Sequence, residues 1–220
     1  MSLRSRVLEA LGTVYDPELD EPITTLGFIG SCVVTAGGDV ELRLRLPTPQ
    51  CAPNFAFLMA ADARAAVCRL PEVRDVTVVL EDHYTGAEIN AAVGRGEGFA
   101  GAFPGETAGE LDALRELFQR KALVAREGRL LATVGDPARA RLGELSGPDA
   151  ERCRALRRAL GMDASDHAPA FVKGDGAPVS ADEVARFARV AGLTALSLET
   201  NGGMCRDLLR VRYEEEGVAA

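Results

Sequence analysis

The spacing of hydrophobic residues predicts an α/β module at the start of the chain. Apolar residues recur at helical intervals up to Val14, and the acidic, proline-containing stretch YDPELDEP ends this helix. The run VELRLRL alternates apolar and charged positions, and with FIGSCVVT and the turn AGGD it predicts a β-hairpin with one buried face. An apolar helix from Pro53 to Arg69 and a β-branched strand, VRDVTVVL, follow. We therefore predict a two-layer α+β domain over residues 1–85, ordered helix, strand, strand, helix, strand.

The remaining sequence predicts a linker and a second domain. Residues 86–109 contain GRGEGFAGAFPGETAG, whose glycine density predicts a linker or covering loop. Residues 110–220 return to helical spacing and predict a mixed, mostly helical α/β domain. Within it, LTALSLET is typical of a strand, and the last helix is expected to start after the Asn-Gly-Gly sequence at Asn201.

Composition and charge exclude several classes of protein. The chain has 220 residues, of which 47% are hydrophobic and 26% charged, as in globular proteins. Its net charge of -8 argues against nucleic acid as a partner, because the phosphate backbone requires a basic surface. No apolar run approaches the roughly 20 residues of a membrane helix, and the N-terminal sequence lacks the apolar core of a secretory signal. We expect a cytoplasmic protein without membrane contact.

The cysteine pattern directs attention to one thiol. The five cysteines form no CxxC pair and are odd in number, so neither a disulfide framework nor a zinc ribbon is indicated. Cys51 lies between two prolines, and Pro53 suits the first position of a helix. The positive end of the helix dipole favours an anion there, and hence a reactive thiolate. The alternative is a small apolar filler, the role we expect for Cys32, Cys68 and Cys153.

Several ordered motifs resemble one family of small domains. They are Asp16-Pro17-Glu18 after the first helix, Ile23 and Leu26-Gly27 before the first strand, a T-x-x-C pattern formed by Thr48 and Cys51, and the closing strand VRDVTVVL. Together they resemble the iron–sulfur cluster assembly family, which includes eukaryotic cytosolic assembly factors and the SufT-like and PaaD-like maturation proteins of bacteria. The resemblance covers about residues 4–82. In one departure, Ala52 separates the cysteine from the proline that the family places directly after it.

The resemblance implies a function in metal-centre maturation. It implies that the first domain assists the assembly or delivery of an iron–sulfur cluster, or of iron, to a client metalloenzyme such as an oxygenase. Cys51 would be the functional thiol, with Asp16 and Thr48 as its neighbours. Iron and its clusters take thiolate ligands, and one cysteine needs further ligands from a second copy in a homodimer, the assembly machinery or the client.

Two more residues are candidate metal ligands. Cys205 follows Asn-Gly-Gly, which predicts another thiol in the first turn of a helix; the alternative is a core cysteine. His83 follows the third strand beside Asp82, where a histidine and a carboxylate suit non-haem iron. The second histidine of such a site is only available as His167 in the other domain, so the alternative for His83 is a surface or capping role.

Two other functions stay open at this level. Cys51 is also compatible with a thiol-dependent enzyme, which requires a base within hydrogen-bond reach of the nucleophile. A non-catalytic adaptor would need no chemistry from Cys51. A nucleotide site is not predicted, because the glycine-rich stretch lacks the lysine and hydroxyl residue of a phosphate-binding loop. Of these functions we favour an assembly factor rather than an enzyme.

Overall fold

The chain folds into two compact units. The structure is a computed structural model that describes residues 1–105 and 108–214. Unit 1 comprises Met1–Asp112 and Asn201–Ala220, and unit 2 comprises Ala113–Thr200. The sequence-based division, 1–85 and 110–220, therefore differs from the division in space, because the chain beyond Asn201 belongs with the first unit. Fold class α+β is confirmed.

Unit 1 is built on a three-stranded sheet. Its strands are β1 (Ile29–Val34), β2 (Asp39–Arg45) and β3 (Asp75–Glu81), in the order β1-β2-β3. The first pair is the predicted antiparallel hairpin, and β3 runs parallel to β2. Buried and exposed positions alternate along β2 and β3, so one face of the sheet carries the core. Because β2 and β3 are parallel, the loops that follow them emerge at the same edge.

Helices cover the apolar face of this sheet. They are α1 (Leu3–Leu11), α2 (Pro53–Cys68), α3 (Gly86–Arg95) and the short α4 (Phe99–Ala102). The expectation of a linker over 86–109 fails here, because Ile89, Ala92 and Val93 of α3 are buried in the core. Gly96 ends α3 in the left-handed conformation, so the glycines partly mark a helix end. Residues 106–107 of the expected linker lie outside the described residues.

Unit 2 is helical and has its own core. It contains most of α5 (Ala108–Leu130), short 3₁₀ turns at Leu131–Thr133 and Leu142–Glu144, α6 (Pro148–Ala159) and the first part of α7 (Val184–Glu214). Its core includes one fully buried ion pair, Arg157 with Glu127, whose side chains are 1% and 0% exposed. Arg157 also donates to the carbonyls of Pro169 and Ala170, and Glu127 accepts the N–H of Val172.

Helix α7 corrects two expectations. LTALSLET is helical rather than a strand, and the Asn-Gly-Gly sequence lies inside α7 rather than before it. Gly202 lies close to the acidic turn, since a Cβ at this position would lie 2.6 Å from Oε1 of Glu21. We refer to residues 201–214, the part of α7 in unit 1, as the α7 end. Within the described residues, no helix has the length and apolarity needed to cross a membrane.

Candidate functional site

Cys51 lies in the loop between β2 and α2, which we call the cysteine loop (residues 46–52). Pro53 occupies the first turn of α2, as the sequence predicted, so Cys51 directly precedes the helix N-terminus. The thiol is half-buried, and its Sγ lies 3.5 Å from Oγ1 of Thr48 in a hydrogen bond. The Cys51 N–H also donates to the carbonyl of Thr48 at 3.4 Å. The structure therefore brings the threonine and cysteine of the T-x-x-C pattern into direct contact.

His83 holds the cysteine loop through its backbone. Its Nε2 lies 2.7 Å from the carbonyl oxygen of Cys51, and its Nδ1 accepts the N–H of Thr85 at 3.3 Å. Since Nδ1 accepts, Nε2 carries the proton and donates it to Cys51. Burial lowers the pKa of His83 below its usual value, which favours this neutral form. Both ring nitrogens are engaged by protein groups in this structure, an arrangement that suits a positioning role for His83. The iron-ligand role remains a prediction.

Asp16 is buried within the acidic turn (residues 15–22). Its Oδ1 accepts the N–H groups of Glu18 at 2.8 Å and Leu19 at 2.9 Å, and only 7% of the residue is exposed. Burial raises the pKa of this carboxyl to about 6, and the nearby charges of Glu18 and Glu21 act in the same direction. Asp16 therefore changes protonation state close to neutral pH, unlike an ordinary surface aspartate.

Cys205 lies inside α7, half-buried against the core of unit 1. The expectation of a helix N-terminus at this thiol is wrong, because α7 begins at Val184. Burial raises the pKa of Cys205 to about 11, and the interactions with nearby Asp16 and Cys51 act in the same direction. Asp16, Cys51 and Cys205 therefore interact with one another in unit 1. The raised pKa keeps Cys205 a neutral thiol.

Two arginines of the α7 end make contacts that were not predicted from the sequence. Arg206 forms an ion pair with Glu21 of the acidic turn at 2.5 Å. Arg212 donates to the carbonyls of Leu46 and Asp82, at 2.9 and 2.7 Å, which follow β2 and β3. The α7 end therefore ties together the acidic turn and both loops at the carboxyl edge of the sheet. The Asn-Gly-Gly sequence had instead indicated a helix start at this position, so the sequence carried no clear signal for these contacts.

The other cysteines lie apart from this region. Cys32 is buried in β1 and Cys153 in α6, in agreement with the packing role expected for them. Cys68 is exposed at the last position of α2, so the packing role expected for it is wrong. Among the residues that the structure describes, no group of three or more histidine, cysteine or acidic side chains could hold a metal ion.

Comparison with known proteins identifies the family of unit 1. The model of the iron–sulfur cluster assembly protein family matches residues 4–80. An uncharacterised protein of Methanocaldococcus jannaschii is 36% identical over 90 residues, which cover 41% of this chain and 93% of the relative. An iron–sulfur cluster carrier protein of Deinococcus radiodurans is 34% identical over 91 residues, again 41% of this chain but only 23% of that protein. No solved structure matches the chain.

The chain belongs to the iron–sulfur cluster assembly protein family, and the resemblance inferred from its motifs is confirmed. The matched residues lie entirely in unit 1 and include the acidic turn and the cysteine loop. The α7 end and unit 2 lie outside the residues that the family model matches.

Proposed function

We propose that this protein is an accessory factor that assembles or delivers an iron–sulfur cluster, or iron, to a client metalloenzyme such as an oxygenase. The observation that carries the proposal is the half-exposed thiol of Cys51, hydrogen-bonded to Thr48 in the domain that matches the assembly family. Cluster iron is held by cysteine thiolates, so Cys51 supplies one ligand to the cargo. The remaining ligands come from the client, the assembly machinery or a second copy of the chain.

Asp16 suits a transient interaction with iron. A metal competes with protons for its ligands, so affinity depends on the protonation of each group. A carboxyl with a pKa of about 6 gives up its proton to bind a cation at neutral pH and regains it readily when the cation leaves. Asp16 therefore assists both the arrival and the release of the cargo.

Cys205 is the proposed second thiol. Its pKa of about 11, raised first by burial and further by nearby acidic groups, keeps it protonated until a cation arrives. A bound iron ion reverses this balance, since a coordinating thiol is deprotonated by the metal's own charge. Cys205 thus joins Cys51 as a ligand only when cargo is present, and the cell compartment we propose is the reducing cytoplasm, where free thiols persist.

The geometry favours this function over the two alternatives. A thiol-dependent enzyme needs a base at the nucleophile, and His83 donates to the carbonyl of Cys51 instead of contacting its Sγ. An adaptor without chemistry requires neither the raised pKa of Asp16 nor the thiol contact with Thr48. The adaptor alternative is tested by the same cysteine variants as the main proposal.

Anaerobic reconstitution tests the proposal. The full chain is incubated with ferrous iron and sulfide, and iron per chain and visible absorption are measured for the wild type, Cys51→Ser, Cys205→Ser and Cys68→Ser. Cys68 is the matched control, because it is an exposed thiol at the opposite end of α2, about 24 Å away for a helix of 16 residues.

We expect Cys51→Ser to lose most of the bound iron, Cys205→Ser to lose part of it, and Cys68→Ser to match the wild type. Thermal unfolding followed by circular dichroism confirms that each variant is folded. Wild-type iron content in folded Cys51→Ser would contradict the proposal and favour an adaptor.

A further inference from the structure

Unit 1 contains a cavity that none of the proposed cargo ligands line. Its volume is about 340 Å³, and its walls come from the residues after the acidic turn, the end of β2 and the α7 end. A volume of this size falls within the range of small-molecule sites, roughly 300 to 1,000 Å³. We call it the arginine cavity, after its charged wall.

The charged wall is entirely basic. Arg45, Arg206 and Arg210 line the cavity, and no carboxylate does so among the lining residues. This concentration of positive charge stands out in a chain whose net charge is -8. An anion that enters the cavity therefore meets three guanidinium groups, each of which also pairs with a carboxylate outside the lining.

Carboxylates outside the cavity hold the arginines in place. Arg45 pairs with Glu81 at 2.7 Å, and Arg206 pairs with Glu21 at 2.5 Å. The pair of Arg206 uses a single terminal nitrogen, Nη1, of a group that has five N–H donors. Such a contact fixes the direction of the Arg206 guanidinium, whose planar group presents further N–H donors to a ligand.

The remaining lining side chains are largely apolar. Leu26, Ile29 and Leu209 line the cavity, and Tyr213 contributes its ring, over which the guanidinium of Arg45 stacks at 4.7 Å from the ring centre. Apolar surface next to guanidinium groups suits a ligand with an aliphatic body and an anionic end.

Two glycines make this arrangement possible. A Cβ at Gly30 would lie 2.7 Å from Nε of Arg45, so only glycine lets that side chain lie across β1. Gly27 has a positive φ of 79°, and a Cβ there would lie 3.3 Å from Leu209. Side chains at these two positions would therefore crowd the lining residues Arg45 and Leu209.

We infer that the arginine cavity binds a carboxylate carried on an apolar body, either a free organic acid or the C-terminal residue of a protein chain. A planar carboxylate matches the fork of a guanidinium and brings one negative charge, which leaves the holding pairs with Glu21 and Glu81 intact. The site is independent of Cys51 and adds a binding activity to the proposed cargo function.

Hexanoate is the first probe, with 1-hexanol and inorganic phosphate as comparisons that keep only the apolar body or only the anion. Titrations of the metal-free full chain are followed by amide NMR shifts. We expect hexanoate to shift the amides of Ile29, Gly30 and Leu209 with saturation, and both comparisons to bind at least about tenfold more weakly. Equal binding of hexanol or of phosphate would overturn the inference, as would no saturation by hexanoate.

Arg210→Gln tests the role of the charged wall. Arg210 and Arg95 are both exposed and each pairs with a nearby carboxylate, Asp207 and Glu97 respectively, but only Arg210 lines the cavity. We expect Arg210→Gln to weaken hexanoate binding about tenfold, the scale of one charge-assisted hydrogen bond, and Arg95→Gln to leave it unchanged. Unchanged binding in Arg210→Gln, or an equal loss in both variants, would contradict the inference.

Gly30→Ala provides a second variant that keeps every charge. Its methyl group displaces Arg45, so we expect weaker hexanoate binding without a change in net charge.

Acetyl-Ala-Ala-Leu with a free carboxylate, compared with its amide, separates the two sources of ligand. Tighter binding of the free acid than of hexanoate favours a protein C-terminus, and weaker binding favours a free organic acid; equal binding of acid and amide overturns carboxylate recognition. Cys51→Ser is expected to bind hexanoate normally, which separates this inference from the cargo function.

Discussion

Asp16 in unit 1 and Glu127 in unit 2 are both buried carboxylates, but they have different partners. Burial raises the pKa of Glu127 to about 7, while its contact with Arg157 at 2.5 Å and the N–H of Val172 both favour the charged form. Asp16 accepts hydrogen bonds from two backbone N–H groups. Burial, and then the negative charges of Glu18 and Glu21, raise its pKa. The difference lies in the neighbouring charges: Glu127 faces a cation, whereas Asp16 lies near Glu18 and Glu21 and so gains stability when it is protonated or when a cation arrives.

The cysteines of the two units show the same contrast. Cys153 is fully buried in α6, and burial raises its pKa to about 12, so it behaves as a packing group. Cys51 is half-buried, precedes a helix N-terminus and contacts a hydroxyl. Residue type alone thus predicts little, because the surroundings decide whether a carboxyl or a thiol supports the fold or is free to react.

The largest effect is expected from Arg157→Met. The substitution leaves Glu127 buried without its cation, which typically costs about 3 to 5 kcal/mol in free energy of unfolding. Urea unfolding followed by circular dichroism measures the loss. The double variant Arg157→Met with Glu127→Leu removes both charges and should recover much of it. A loss below about 1 kcal/mol in the single variant would show that the pair does not hold unit 2 together.

Asp16→Asn is expected to have the opposite sign. Asparagine keeps an oxygen for the N–H groups of Glu18 and Leu19 but removes the buried charge. The folded-state pKa of about 6 lies above the ordinary value of 3.8, so wild-type stability falls as pH rises from about 4 to about 6 and then levels off. At pH 7.5 the variant should be more stable than the wild type by up to about 3 kcal/mol.

The control for this variant is its own behaviour at low pH. At pH 4 the wild-type carboxyl is protonated when folded, so the two proteins should have nearly equal free energies of unfolding. A constant difference between pH 4 and pH 7.5 would contradict the assigned pKa. The more stable variant should also load less iron, because it has lost the anion that attracts the cation.

His83→Ala is expected to have the smallest effect of the three. It removes the hydrogen bond to the carbonyl of Cys51 and should lower the free energy of unfolding by about 1 kcal/mol. His167, the other histidine, has an exposed side chain and serves as the control, since His167→Ala should change stability by less than about 0.5 kcal/mol. Equal stabilities of the two variants would argue against the positioning role.

The first half of unit 1 was predictable because local pattern and packing agree there. The helix, the hairpin, α2 and β3 each carry the period of their own secondary structure. The later elements were misassigned where tertiary contacts outweigh local signals. Glycine-rich sequence after Gly86 still forms a helix because it buries three apolar side chains, and α7 continues through Gly202 beside the side chain of Glu21.

The site was predictable only in part for the same reason. The T-x-x-C motif indicated a contact between Thr48 and Cys51, which are three residues apart, and the structure contains it. The roles of Cys205 and His83 depended on long-range packing. Sequence spacing does not show that α7 passes through position 205 without a break. Nor does it show that His83 forms a hydrogen bond with the carbonyl of Cys51.

Cluster transfer tests the central claim most directly. A scaffold protein loaded with an iron–sulfur cluster donates to an apo-ferredoxin, and the appearance of holo-ferredoxin is followed by circular dichroism in the visible range with the full chain added in catalytic amounts. We expect the wild type and Cys68→Ser to accelerate transfer and Cys51→Ser not to do so. Acceleration by folded Cys51→Ser at the wild-type rate would contradict the claim that this thiol carries the cargo.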